Sequence, residues 1–220
     1  MTHVKETCDR CGPNGAEMSV SFGMWRVPVV MGITVVIPSM WERGNMLVRA
    51  LASVKHQTIG APQVRVIIGR NKWEARNLGL QAVDTEWTVF LDDDDEMLPN
   101  HVQTLATAQH ISGIPGADLV WSSAVVRTED GRERVFGFDI TPEQELLNNY
   151  IPTGYMVRTS LAREVGGFPP LTPEVPEDWG FLQRLVRGGA TFYYADPPEP
   201  TWIIHLHEGN TFQGEGILYT

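Results

Sequence analysis

A chain of 220 residues with 42% hydrophobic and 20% charged residues is long enough for one domain with its own core and too apolar for a disordered one. Its net charge of −10 argues against a nucleic-acid partner, which asks for a basic surface. The longest apolar stretch, Val27 to Ile37, is broken by Pro28 and Gly32 and falls short of the ~20 residues that span a bilayer; the first twenty residues carry charges throughout, so the expectation is a cytoplasmic protein without signal peptide or transmembrane segment.

In chain order, residues 1–30 read as an N-terminal extension and 31–220 as the organised domain. The extension carries Cys8 and Cys11 in a C-x-x-C spacing. A structural zinc site needs four ligands and no second pair follows, so this reads as a loosely attached tail, with zinc shared between chains as the alternative. Residues 33–37 are apolar and β-branched and stop at Pro38-Ser39, the pattern of a buried strand. Leu47, Ala50, Leu51 and Val54 fall at i, i+3, i+4 and i+7, one face of an amphipathic helix. A second strand is expected over 64–68, stopped by Gly69, then a helix over 73–83 with Ala75, Leu78 and Ala82 inward. A third strand over 88–91 runs straight into Asp92-Asp93-Asp94-Asp95-Glu96. Pro99 suits the first position of a helix over 99–110.

Beyond it, a strand is expected over 118–126, with 135–138 pairing back after a turn at Gly131. Thr141-Pro142-Glu143 opens a helix, with threonine as N-cap, proline at the first position and an acid in the first turn. Residues 155–157 read as a strand, followed by a helix from Ser160 that Gly166-Gly167 closes. Trp179, Leu182, Leu185 and Val186 form one face of a last helix, whose start carries Glu177 and Asp178 where acids suit the dipole. Residues 192–195 and 202–204 are late strands.

Strand–helix alternation in the first half predicts a mostly parallel sheet with helices on both faces. Ligands of such sheets gather at the carboxyl ends of the strands. Pro38-Ser39, Gly69-Arg70 and the four aspartates each follow a strand, so they are expected to meet at one edge. Carboxylates crowded there repel one another unless a cation neutralises them. Mg²⁺ or Mn²⁺ takes one or two carboxylates plus phosphate oxygens. An EF-hand does not fit, because the sixth position from Asp92 is Met97 and not glycine. A solvated acidic turn is the bland alternative.

The strand at 33–37 with Pro38-Ser39, the helix end Ser53-Val54-Lys55-His56-Gln57-Thr58, the run Ala75-Arg76-Asn77-Leu78-Gly79-Leu80 and Phe90-Leu91-Asp92-Asp93-Asp94-Asp95, in this order and spacing, resemble the inverting glycosyltransferases of family two. Pro176-Glu177-Asp178-Trp179 resembles that family's base motif, and His207-Glu208-Gly209-Asn210-Thr211 its terminal His-x-Gly-Asn segment. The resemblance runs from residue 33 to 212. It implies a GT-A fold: α/β, Rossmann-like, with a mostly parallel central sheet flanked by helices and a small antiparallel C-terminal part. It also implies transfer of a sugar from a nucleotide-diphosphate donor, a UDP-sugar first among candidates, to an acceptor hydroxyl with inversion, with Mn²⁺ or Mg²⁺ as cofactor. Whether the acceptor is a glycan, lipid-linked or a protein is left open.

Carried over residue by residue, Asp92 and Asp94 are the D-x-D pair, with Asp94 on the metal and Asp92 nearer the ribose or sugar. Asp93 lies on the donor, and Asp95 is a second ligand or an orienter. Arg76 faces the diphosphate, which suits a guanidinium fork, and Pro38, Ser39 and Glu42 line the nucleoside pocket. Asp178 is the base that takes the acceptor proton, and Glu177 binds the acceptor. His207 reaches the metal or diphosphate, while His205 points to the opposite face if the segment is extended.

The family's second strand ends in an acidic segment that reads the nucleotide base. Here 64–68 runs into Gly69-Arg70-Asn71-Lys72, and the strand and helix that precede the Ala-Arg-Asn motif in the family are missing. Arg70, carried as donor-binding, Asn71 or Glu74 are the substitutes, and the donor base stays open. A long acceptor-binding C-terminal extension is also missing, so a shallow acceptor site is expected. Two other readings remain. A sugar nucleotidyltransferase would want a glycine-rich loop where this chain has Pro38-Ser39-Met40-Trp41. A non-catalytic nucleotide- or sugar-binding module would explain the missing acid, but not the retained Asp92–Asp95, Glu177-Asp178 and His207.

Overall fold

The computed structural model describes residues 32–40, 44–59, 62–111 and 116–207; the N-terminal extension with Cys8 and Cys11, as well as Glu42 and the segment 208–211, lie outside them. Strand β1 (Ile33–Ser39) is buried along its whole length, and its alternate residues serve opposite layers. Val35 and Ile37 pack with Ala50 and Val54 of α1 (Gly44–Lys55). Val36 packs with Leu80 of α2 (Lys72–Ala82). β2 (Gln63–Ile68) and β3 (Trp87–Phe90) flank β1, both parallel to it.

After β3 the chain makes the short strand β4 (Glu96–Met97), helix α3 (His101–Ile111), and strands β5 (Leu119–Trp121), β6 (Ala124–Thr128) and β7 (Glu133–Phe136). Then come α4 (Pro142–Leu147), β8 (Met156–Arg158), α5 (Thr159–Glu164), α6 (Glu177–Arg187), β9 (Phe192–Tyr194) and β10 (Trp202–Leu206). Six strands form the central sheet in the order β2-β1-β3-β8-β5-β9. Only β8 runs antiparallel to its neighbours within it. Trp87, Val89, Leu91, Val102, Leu105 and Met156 fill one side. Phe90, Tyr155, Phe168, Phe181, Leu182 and Leu185 fill the other, with Phe168 and Phe181 stacked at 4.2 Å. The result is the α/β architecture with a mostly parallel sheet that the alternation predicts. No helix is long and apolar enough to cross a membrane among the described residues.

The strand expected over 118–126 is two strands. β5 belongs to the central sheet, whereas β6 belongs to a second, four-stranded sheet in the order β4-β10-β6-β7. The chain changes sheets at Ser122-Ser123, held there by Ser122 Oγ against Thr201 Oγ1 at 2.7 Å and by Thr201 N donating to Ser123 O. Gly137 packs directly on Ser123: a Cβ there would sit 2.6 Å from Ser123 Cα, at a φ of 135°. Apolar flanks on both sides of Ser122-Ser123 hide such a switch in the sequence, because both halves are buried. The second sheet pairs β4 with β10 and β6 with β7 antiparallel, and β6 with β10 parallel.

The inner face of α2 also differs from the expectation. Ala75, Arg76, Gly79, Leu80 and Val83 are buried, while Leu78 is 53% exposed and Ala82 is exposed. The face is turned by Gly79, where α2 lies so close to the sheet that a Cβ would meet Val36 Cγ1 at 2.3 Å. This rotation carries Arg76 inward. Gly79→Ala gains helix propensity, yet the overpacking against β1 outweighs it. We expect a net loss of about 1–3 kcal/mol, read as a lower urea midpoint at unchanged m-value.

Candidate active site

Because β1, β2 and β3 are parallel, their carboxyl ends open on one edge. Ser39 O accepts from Gly69 N, and Val36 O from Leu91 N. Pro38 sits in β1 beyond the last β3 partner of that strand, Val36, so its missing N–H costs no ladder bond. After Leu91 the backbone turns, with Asp95 N donating to Asp92 O at 3.1 Å. β4 then delivers it to the second sheet. The aspartates therefore sit on a hinge between two sheets, and Asp93, Asp94 and Asp95 are buried there.

Each of them is held differently. Asp93 Oδ2 accepts from Ser39 Oγ at 2.7 Å. Asp94 Oδ2 lies 3.1 Å from His207 Nε2, and the Asp94 carbonyl accepts from Arg49 of α1. Asp95 Oδ1 accepts from the His205 backbone N–H. Carboxylate oxygens of Asp92, Asp94 and Asp95 lie within 4.8 Å of one another. Burial, and then the charges of Asp94 and Asp92, push the Asp95 carboxyl well above its ordinary range. Three hard oxygen donors with one imidazole beside them, and an acid unwilling to ionise without a counter-charge, fit Mg²⁺ or Mn²⁺. His205 is directed elsewhere: its Nε2 lies 3.4 Å from Glu96 Oε2. Burial, with Arg49 adding, lowers its pKa.

Asp92 faces the other way. Its Oδ1 accepts from Arg76 at 2.6 Å and its Oδ2 meets Lys72 at 3.5 Å. Burial would raise its pKa, but Arg76 and Lys72 together hold it far below the carboxylate range. The second arm of Arg76 donates to Glu177 Oε1 at 2.7 Å, and its guanidinium lies over the Phe168 ring. Arg76 is 1% exposed; burial disfavours its charge, but Asp92, Asp178 and Glu177 overcome this and raise its pKa. Asp178 follows in the first turn of α6, where it accepts from its neighbour's backbone, Trp179 N. Burial raises the Asp178 pKa against the pull of Arg76. Asn77, next to Arg76, exchanges two hydrogen bonds with the backbone of Phe168. It thereby ties α2 to the segment leading to α6.

The structure thus gathers Ser39, Arg76, Asp92, Asp93, Asp94, Asp95, Glu177, Asp178 and His207 around one edge. Pro38 stands behind Ser39 in β1. Arg70 is exposed and no hydrogen bond or ion pair joins it to the carboxylates among the described residues; Glu42 lies outside them. Lys72 has no role in the sequence reading, yet it meets Asp92. Its signal is spacing, since Lys72 and Arg76 stand at i and i+4 on one face of α2. Glu145 and Tyr155 were also missed. Both are buried, and both interact electrostatically with Asp178.

Comparison with known proteins agrees with this picture. Residues 61–150 match the sequence model of glycosyl transferase family 2. A curated relative, the uncharacterized glycosyltransferase YwdF of Bacillus subtilis (strain 168), is 26% identical over 122 residues, which is 51% of this chain and 43% of that protein. Residues 1–349 of S. aureus TarS in complex with UDP-GlcNAc share the fold, with a TM-score of 0.59 at 16% identity, over 82% of this chain and 60% of that one. The same TarS fragment in complex with UDP gives a TM-score of 0.57 at 15% identity, over 80% of this chain and 61% of that one. The chain therefore spans less than half of its curated relative and about 60% of the TarS fragment. The resemblance to family two and the GT-A fold are borne out.

Removing Arg76 would take the ion pair from Glu177 and leave Asp92 with Lys72 alone. Arg76→Ala is expected to lose about 3–5 kcal/mol of stability, measured by urea unfolding, and Arg76→Lys to lose less because it retains a charge but not the fork.

Proposed function

We propose that this chain, with its family-two glycosyltransferase segment at 61–150, moves a sugar from a nucleotide-diphosphate donor to an acceptor hydroxyl with inversion, with a divalent cation required. The observation that carries this reading is the pair of salt bridges made by Arg76, which joins Asp92 at the carboxyl end of β3 to Glu177 beside Asp178. On this reading, the side for metal and diphosphate and the side for the base lie a single side chain apart.

Asp94, Asp95 and His207 would hold Mn²⁺ or Mg²⁺, with Asp92 within reach. When bound, the cation neutralises charge that develops on the leaving diphosphate, which removes the need for a separate acid. Ser39 and Asp93 form the wall under the nucleoside. Asp92, paired with Arg76 and Lys72, is the charged group nearest the ribose or sugar. Asp178 accepts the proton of the attacking hydroxyl, and its burial raises its affinity for that proton, which suits a general base. Glu177, neutralised by Arg76, orients the acceptor. The complexes of TarS with UDP-GlcNAc and UDP support a UDP-sugar as the donor to try first.

Calorimetric titration with UDP, GDP, CDP and dTDP is expected to show binding of one nucleotide with Mn²⁺ and its loss with chelator; absence of binding by all four to folded protein would favour a non-catalytic module. His207→Ala should weaken the metal dependence of that binding. Asp178→Asn should lower transfer about 100-fold or more while nucleotide binding stays intact. NMR of the product should show the inverted anomer; a retained configuration would remove Asp178 from the role of base.

A further inference from the structure

Glu145 lies in α4, and its side chain is fully buried. One contact of its side chain fixes the exit of α4, and two backbone carbonyls of the helix meet the start of α6. Its Oε2 accepts from Tyr150 N at 3.0 Å, which fixes the turn that leaves α4. Its backbone carbonyl accepts from the indole Nε1 of Trp179, the residue after Asp178, at 2.7 Å. One turn further along α6, Gln183 reaches the carbonyl of Leu146. The ionisable groups that face the carboxyl are Asp178 from α6 and Tyr155 from the segment before β8. Glu145 Oε1 finds no hydrogen-bond partner among the described residues. An ionised carboxylate in that place would have two backbone donors, a second carboxylate nearby and, among the described residues, no cation against it.

We propose that Glu145 is a positioning residue for the acceptor side, a neutral carboxylic acid that locks the exit of α4, the helix whose backbone carbonyls hold the start of α6, and leaves Asp178 without a second negative charge at its back. The role assigned to Asp178 rests on the proposed function, whereas the protonation and the lock are properties of the fold. Oε2 is occupied as an acceptor, so the proton resides on Oε1. Burial accounts for this state, pushing the carboxyl up to about 8 against the two backbone N–H groups of Tyr150 and Ile151, with Asp178 adding to the rise. A carboxyl that holds its proton more tightly in the folded than in the unfolded chain favours folding at low pH. That contribution is complete below the ordinary value of 4.5 and is lost as pH climbs to about 8.

The test compares the whole chain with Glu145→Gln, which keeps the shape and never ionises, and with Glu145→Ala, which removes the tie to Tyr150. Between pH 4.5 and about 8 the stability of Glu145→Gln relative to the wild-type protein should rise steadily, then level off. Glu145→Ala should speed hydrogen exchange about tenfold or more in the segments around Tyr150 and Trp179. It should lower kcat about tenfold with donor KM and nucleotide Kd unchanged, while Glu145→Gln stays near the wild-type kcat. Parallel stability curves for Glu145→Gln and wild type would overturn the neutral acid. A folded Glu145→Ala with wild-type exchange and kcat would overturn the lock, and if that variant does not fold, the pH curve of Glu145→Gln carries the test. A wild-type protein that binds no nucleotide and transfers no sugar would sink the proposed function, yet the stability and exchange measurements would still decide Glu145.

Discussion

The architecture of the site depends on one buried guanidinium. Arg76 is 1% exposed, and a charge so placed survives only with counter-charges and hydrogen bonds. It takes them from two places far apart in the chain: Asp92 where β3 ends, and Glu177 where α6 begins. Several features upstream of the site serve to place this side chain. Gly79 lets α2 settle onto β1, Asn71 caps the helix by accepting from Glu74 N, and Asn77 clamps the backbone at Phe168. A different residue at position 79 would push the helix outward and with it the guanidinium that spans the two sides.

The second sheet performs the corresponding task for the aspartates. Four aspartates on a free turn would splay apart. Here β4 pairs with Trp202 and Ile203 of β10, and continuation of β10 brings the His205 N–H to Asp95 and the His207 ring to Asp94. His101 fastens the seam underneath, bonded to Thr201 Oγ1 and Gly154 O at 2.8 Å each. Burial lowers its pKa to about 4, so it stays neutral there. The carboxylates are thus crowded by the topology rather than by their own preference, and the raised pKa of Asp95 records that cost.

Much of this is legible in the sequence because it is local. The apolar run before Pro38, the aspartates directly after a strand, and Thr141-Pro142 with Gln144 closing a capping box all announce themselves within a few residues. The order of motifs added the family and its fold. What escaped depends on partners distant in the chain. Leu78 and Gly79 differ in orientation only because Val36 stands where it does. Ser122-Ser123 reads as the middle of one strand because both flanks are apolar. Arg70 and Lys72 are two cations in one short turn, and only the phase of α2 distinguishes the one that meets Asp92. Glu145 looks like any solvent-facing acid in a first helical turn, and its burial follows from how α4 lies on α6.

The absent strand and helix before the Ala-Arg-Asn motif have a structural consequence. β2 pairs directly with β1 in register from Gln63 opposite Thr34 to Ile68 opposite Ser39. It is also the last strand on that side of the central sheet among the described residues. The shortening therefore removes nothing from between β1 and the helix that carries Arg76. β2 leads into α2 through Gly69 to Asn71, and the distance from Ser39 to Asp92 across the carboxyl edge is still bridged, through Asp93. What a further strand would have supplied is wall beyond β2, on the side of the sheet away from Asp92. The parts that bear on charge, Arg76, the aspartates and the Glu177-Asp178 turn, are all built from β1, β3, α2, α6 and the second sheet. A sheet that stops at β2 and an intact charged centre are therefore compatible within one fold, because β2 and β3 lie on opposite sides of β1.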